Sequence, residues 1–156
     1  MNKNTQSIFN KKLLLVAIKI NVSAAIEEDL KNIDKTSDIL PKKIKGVAKI
    51  YVKQAAILCG SPWVDNCFHQ IDKDIRIVWH FSEGSKIKTG DEICTISGNY
   101  NRILMGERIA INFLQTLSAT ASTSNLINLK IKRYKARLFD TRKTIPGLRV
   151  AQKYAV

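Results

Sequence analysis

The apolar residues Ala110, Phe113, Leu114, Leu117 and Ala121 recur at i, i+3, i+4, i+7 and i+11. That spacing predicts a long helix from Leu104 to about Ile127 with a stripe that must be buried. A helix of that length needs another layer to lie against. The layer is written upstream. Residues 47–53 are rich in β-formers, and Ile75 to Phe81 (Ile-Arg-Ile-Val-Trp-His-Phe) reads as a strand. Glu83 to Ile96 then alternates glycine turns, at Gly84 and Gly90, with short apolar steps. Pro62 to Phe68 reads as a short helix with Trp63, Val64, Cys67 and Phe68 on its apolar side, and Gly98 to Asn101 as a break.

The amino-terminal part is less decided. Residues 1–10 are polar. Leu13 to Ile20 is apolar and fits a helix or a strand, whereas Val22, Ile26 and Leu30 recur at helical spacing. Glu28 and Asp29 on that helix suit general acid/base carboxylates in principle, but the solvated face of an amphipathic helix is the simpler reading. Residues 31–45, with Pro41 and a lysine run, read as a loop.

Two places carry candidate binding residues. Arg108, Asn112 and Gln115 fall at i, i+4 and i+7, a narrow polar line on the long helix. A buried arginine needs a partner, so Arg108 is either satisfied by Glu107 or another helix, or held out toward an anion. The second place is Asp140-Thr141-Arg142-Lys143-Thr144-Ile145-Pro146-Gly147-Leu148-Arg149. Ala136 to Phe139 reads as a strand before it. Thr144 as cap and Pro146 in a first turn predict a helix after it. A turn between strand and helix is where β/α architectures hold ligands. Thr141 offers a hydroxyl, Arg142 a planar fork and Lys143 a point charge, a small kit for anions. A solvated basic loop is the plain alternative.

The run from Asp140 to Arg149, continued by Gln152-Lys153-Tyr154-Ala155-Val156, resembles the quinolinate phosphoribosyltransferases. So do Gly106-Glu107-Arg108 through Ser118, Glu28-Asp29-Leu30, Leu58-Cys59-Gly60 and Val78-Trp79-His80, in the family's order. The resemblance implies an α+β fold. An amino-terminal α/β sandwich with an antiparallel sheet would cover residues 1–130, and the first strand and helix of an α/β barrel residues 131–156. It implies transfer of a phosphoribosyl group to quinolinate with decarboxylation, giving nicotinate mononucleotide, carbon dioxide and pyrophosphate in NAD synthesis. Thr141, Arg142 and Lys143 would bind substrate, with Arg108 reaching in from the other subunit of a homodimer, itself a unit of a trimer of dimers in a hexamer. Mg²⁺ would accompany phosphoribosyl pyrophosphate, on ligands beyond Val156, and no catalytic residue is assigned. The amino-terminal helix carries no chemistry in this family. These 156 residues are expected to be part of a longer enzyme and inactive alone, a degraded gene being the other explanation.

The chain departs from the family pattern at Leu40, at Lys53-Gln54, and at Ala56 and Ala119, where glycines are usual. The added Cβ would strain a turn needing positive φ at Ala56 and overpack a helix contact at Ala119.

Charge opens a rival class. There are 26 basic and 13 acidic residues, for a net charge of +13, a balance that suits nucleic acid. Of the basic residues 19 are Lys, spread along the chain among Ile and Asn, whose AT-rich codons explain the excess by genome composition. The lysine-rich stretch 128–137 has only Tyr134 as an aromatic neighbour and reads as a connector, so nucleic acid is not expected as a partner. The glycine-turn pattern also suits lipoyl or biotinyl carriers, but Lys86 and Lys88 lie between the turns, not at a hairpin tip. Cys59, Cys67 and Cys94 form no CxxC pair or metal pattern with His69 or His80. That set suits a reduced cytoplasm. No apolar run reaches the ~18 residues of a membrane span. His80, in an apolar strand, is expected to be a hydrogen-bonded core or edge histidine.

Overall fold

The computed structural model describes residues 11–30 and 44–156. The expected loop at 31–45, with Pro41 and the departure at Leu40, lies almost wholly outside the described residues.

The ambiguous amino-terminal segment is one helix, α1 (Lys11–Leu30). Ile18 and Val22 are buried, and Leu14, Ala25 and Ile26 pack beside them, a continuous line at helical spacing. The β layer contains β1 (Lys45–Tyr51), β2 (Ala56–Ile57), β3 (Arg76–Trp79), β4 (Lys86–Ile87) and β5 (Glu92–Asn99). Strands β1, β5 and β3 form an antiparallel sheet in that order, with Ala48 opposite Ile96 and Ile77 opposite the same residue on the other side. Strands β2 and β4 form a separate antiparallel pair. Gly84 and Gly90 have positive φ on either side of β4. Ala56 lies in β2 without positive φ, so the feared strain does not arise.

Helix α2 (Ser61–Ile71) buries Trp63, Val64, Cys67 and Phe68, the four residues its pattern marked. There is no break at 98–101. Strand β5 runs directly into α3 (Tyr100–Ile131), and the Asn99 side chain caps it by accepting from the Arg102 N–H at 3.2 Å.

Helix α3 is longer than its apolar pattern, and its stripe divides. Ile103, Ala110 and Leu114 join Val64, Phe68 and the strand residues Ile93, Cys94 and Ile96 in one cluster. Ile109, Phe113 and Leu117 join Ile18, Val22, Trp63 and Cys67 in a second. The helix is therefore clamped between the sheet and the other helices, which suits an α+β sandwich. Ala119 is exposed, so it overpacks nothing.

The chain leaves α3 through a short 3-10 turn, Lys132–Tyr134, and a left-handed Lys135. Ala136 to Phe139, expected as a strand, is not one. A strand exists through its ladder, and neither sheet extends to this segment. The last helix, α4 (Arg149–Ala155), starts later than expected. Pro146 and Gly147 occupy a turn closed by the Leu148 N–H donating to the Ile145 carbonyl at 3.1 Å. Gly147 has φ +79°, the position after proline that a type II turn reserves for glycine.

Candidate functional site

Residues 136–148 have no strand or helix of their own, so side chains fix them. The Lys143 N–H donates to Thr141 Oγ1 at 3.0 Å, folding the turn onto itself. That oxygen still carries a hydrogen to donate. Lys153 Nζ lies 3.0 Å from Asp140 Oδ1. The Ile145 N–H donates to Gln152 Oε1 at 2.7 Å. Thr144 does not cap α4; its hydroxyl accepts from Arg149 Nε at 3.4 Å. Helix α4 thus braces the turn it follows. Thr141, Arg142 and Lys143 are all exposed.

Thr141 and Lys143 line a cleft of about 240 Å³ with Thr120, Ser124, Phe139 and Lys153, against the carboxyl-terminal half of α3. Arg142 is not part of that wall. The cleft sets the Thr141 hydroxyl and the Lys143 ammonium beside apolar Ile127, Leu138 and Phe139, with Asp140 paired to Lys153. It can hold an anionic group through charge-assisted hydrogen bonds.

Helix α4 is itself docked on the amino-terminal elements. Ala151 and Ala155 are buried in the cluster around Trp63. The Tyr154 ring lies 5.3 Å from the Trp63 ring, centroid to centroid. Burial, and next the charge of Glu83, push the Tyr154 phenol well above its ordinary pKa. Glu83 accepts from the backbone N–H groups of Gly60 at 2.6 Å and Ser61 at 3.0 Å and from the Ser61 hydroxyl. It caps α2 from a distance, since Gly60 has no side chain to do so. Asn21 of α1 accepts from Trp63 Nε1 at 3.4 Å and donates to the Gly147 carbonyl at 2.9 Å.

Arg108 is not buried: its side chain is 73% exposed. Its partner is Asp29 on α1, Nη1 to Oδ1 at 3.4 Å. Another helix pairs it, not Glu107, and Asp29, with a side chain only 21% exposed, is not a freely solvated residue. Thr120, on the cleft wall, stands twelve residues further along α3. At ~1.5 Å per residue that is about 18 Å of helix axis. Arg108 and the wall of this cleft are therefore well separated along the helix.

Sequence reasoning passed over Asn21 and Glu83 and weighed Asp29 only as a carboxylate on a solvated helix face. Only Asp29 carried a signal, through Glu28-Asp29-Leu30. His80 is a half-exposed edge residue hydrogen-bonded to Glu92 and Thr95, as its strand setting suggested. Lys86 sits within β4, which does not suit a carrier lysine. Among the described residues no cluster of three His, Cys, Asp or Glu side chains could hold a metal ion, and no helix is long and apolar enough to cross a membrane.

Residues 34–118 match the family model for the quinolinate phosphoribosyl transferase N-terminal domain, and residues 119–156 match that for its C-terminal domain. The junction between the two falls inside α3. A probable nicotinate-nucleotide pyrophosphorylase (carboxylating) of Synechocystis is 32% identical over 130 residues, 83% of this chain and 44% of that protein. Its Bacillus subtilis counterpart is 30% identical over 129 residues, 83% of this chain and 45% of that one. The solved nicotinate-nucleotide pyrophosphorylase of Francisella tularensis aligns with a TM-score of 0.85 at 37% identity, covering 90% of this chain and 50% of that one. The chain thus spans about half the length of the relatives it matches.

Proposed function

The chain belongs to the quinolinate phosphoribosyl transferase family, and we propose that it supplies the amino-terminal domain and the first substrate-binding turn of an enzyme joining quinolinate to phosphoribosyl pyrophosphate. The reaction releases carbon dioxide and pyrophosphate and serves NAD synthesis. Thr141, Arg142 and Lys143 are the substrate-binding residues of this proposal. Quinolinate carries two adjacent carboxylates. A guanidinium fork, an ammonium and a hydroxyl on consecutive residues suit such a ligand, because each forms charge-assisted hydrogen bonds with an anion.

The observation that carries the reading is the turn itself. Thr141 is braced to the Lys143 backbone and the segment is tied to α4 at Asp140 and Ile145, leaving the three side chains exposed. A solvated basic loop has no need of such bracing. Arg108 joins the site from a second copy of the chain in a dimer, a role supported by its exposure and by its distance from the turn of its own chain. Mg²⁺ enters this proposal only as the companion of the pyrophosphate substrate, and none of the described residues is assigned to it. A cytoplasmic setting fits the three buried free thiols; the tobacco and rice relatives carry mitochondrial and chloroplastic names.

The test joins this chain to the carboxyl-terminal half of the Francisella tularensis relative. The purified joined protein, shown to be folded by circular dichroism, is incubated with quinolinate, phosphoribosyl pyrophosphate and Mg²⁺. Stoichiometric release of pyrophosphate and carbon dioxide is expected. A folded joined protein with no turnover, beside an active parent enzyme, would refute the assignment.

A further inference from the structure

We propose that Asn21 is a positioning residue, holding the Thr141–Arg142–Lys143 turn from α1 through the Gly147 carbonyl. The substrate named for that turn rests on the proposed function; the geometry does not. Of the hydrogen bonds and ion pairs that anchor residues 136–148, those of Asp140, Ile145 and Thr144 all run to α4. Among the described residues, the anchor that comes from the amino-terminal elements is Asn21. Without it, the polar anchors of the turn among the described residues all run to α4, which is itself held to the body by its apolar face and by Tyr154 against Glu83, seven residues beyond Gly147.

The orientation of the Asn21 amide follows from its partners. The indole N–H of Trp63 can only donate, so the atom facing it at 3.4 Å is Oδ1. The carbonyl of Gly147 can only accept, so the atom facing it at 2.9 Å is Nδ2. One side chain is thereby fixed at both ends, and Trp63 is fully buried, with Phe113 and Tyr154 against its ring. Gly147 lies four residues after Lys143, in a turn whose φ is committed to the left-handed region. A pull at Gly147 is therefore transmitted to Lys143 through a short, conformationally restricted link.

The test is amide hydrogen exchange on the 156-residue chain, read at Lys143, Ile145 and Leu148. Asn21→Asp keeps the shape and the acceptor for Trp63 but has no hydrogen for Gly147 while ionised. Exchange at the three amides is expected to quicken about 2- to 12-fold at neutral pH, the worth of one ordinary hydrogen bond. Protection should return as pH falls toward the ordinary aspartate pKa of ~3.9, because the protonated carboxyl can donate again. Wild-type protection, corrected for chemical exchange, is expected to show no such recovery. Asn21→Ala removes both contacts and should open the same amides without recovery at low pH. Ser23→Ala, which removes the neighbouring bond to Gln70, should leave them unchanged. Unchanged exchange in both Asn21 variants would overturn the proposal, as would equal quickening across α2 and β5. Exchange is read without substrate, so its failure is separate from failure of the turnover assay.

Discussion

Arg108 engages Asp29 with a single nitrogen, Nη1 to Oδ1 at 3.4 Å, and the second carboxylate oxygen of Asp29 is buried without a hydrogen-bond partner. The pair is loose on one side and underused on the other. An arginine held this lightly can be drawn toward an outside anion at little cost, since exposed pairs contribute only ~0.2–1 kcal/mol. Arg108→Ala should lower stability by less than about 1 kcal/mol in urea denaturation. In the joined enzyme the same change should cut turnover at low quinolinate far more, roughly 10- to 150-fold for one charged hydrogen bond. A large stability loss with normal turnover would make Arg108 structural.

Arg142 lies outside the cleft wall and takes part in no hydrogen bond or ion pair described above. Its removal should leave the fold untouched. Arg142→Ala in the joined enzyme is expected to weaken quinolinate binding by about 1.5–3 kcal/mol per charged hydrogen bond lost, with an unchanged denaturation midpoint. Normal quinolinate affinity in calorimetry would remove this residue from the site.

Gly106 opens the Gly-Glu-Arg motif, and its role is packing. A Cβ there would meet Phe68 Cε1 at 2.7 Å and Ile71 Cδ1 at 2.9 Å. Phe68 is 1% exposed and has nowhere to move. Gly106→Ala should destabilise the chain by about 1–3 kcal/mol through overpacking, partly offset by the better helix propensity of alanine, up to ~1 kcal/mol. A raised melting temperature would show that α2 and α3 can separate freely.

Glu92 ties β5 to β1. Its carboxylate accepts from Thr95 at 2.6 Å, Lys49 at 2.9 Å and Tyr51 at 3.0 Å, and these donors, Thr95 first, hold its pKa down to about 2 from an ordinary 4.5. A depressed folded-state pKa gives stability that is present above about 4.5 and is lost as pH falls through 2. Glu92→Gln should therefore flatten the fall of melting temperature across that window. An unaltered slope would mean that the carboxylate is as free in the fold as out of it.

Cys59, Cys67 and Cys94 are free and buried. Burial pushes the Cys67 and Cys94 thiols up to about 12, and the Cys59 thiol higher still. Thiolate is the reactive form, so a disulfide-exchange reagent at pH 8 should label none of them in the native chain and all of them in denaturant. Prompt native labelling would place at least one near the surface.

Much of this was readable from local spacing. Trp63, Val64, Cys67 and Phe68 announced the buried side of α2, and the 110–121 stripe announced α3, because one face of a helix is a property of its own sequence. The division of that stripe between sheet and helices was not visible, since it depends on what arrives from elsewhere in the chain. The segment Ala136–Phe139 has strand-like residues, yet no neighbour among the described residues makes it a strand. Thr141, Arg142 and Lys143 were marked by residue type and motif. Asn21, Asp29 and Glu83 act across 126, 79 and 22–23 residues of sequence respectively, and no window along the chain brings such partners together.

The helix α3 carries Arg108 near its beginning and, through Thr120 and Ser124, the wall behind the basic turn. It is a ruler between two positive stations. One residue inserted between them would slide the second station by ~1.5 Å and swing it by about 100°, turning its cleft away from where it was. Small adjustments of the spacing are therefore closed to this architecture. Substitutions can drift along that rod, but a change of its length between Arg108 and Thr120 must come in whole turns or not at all.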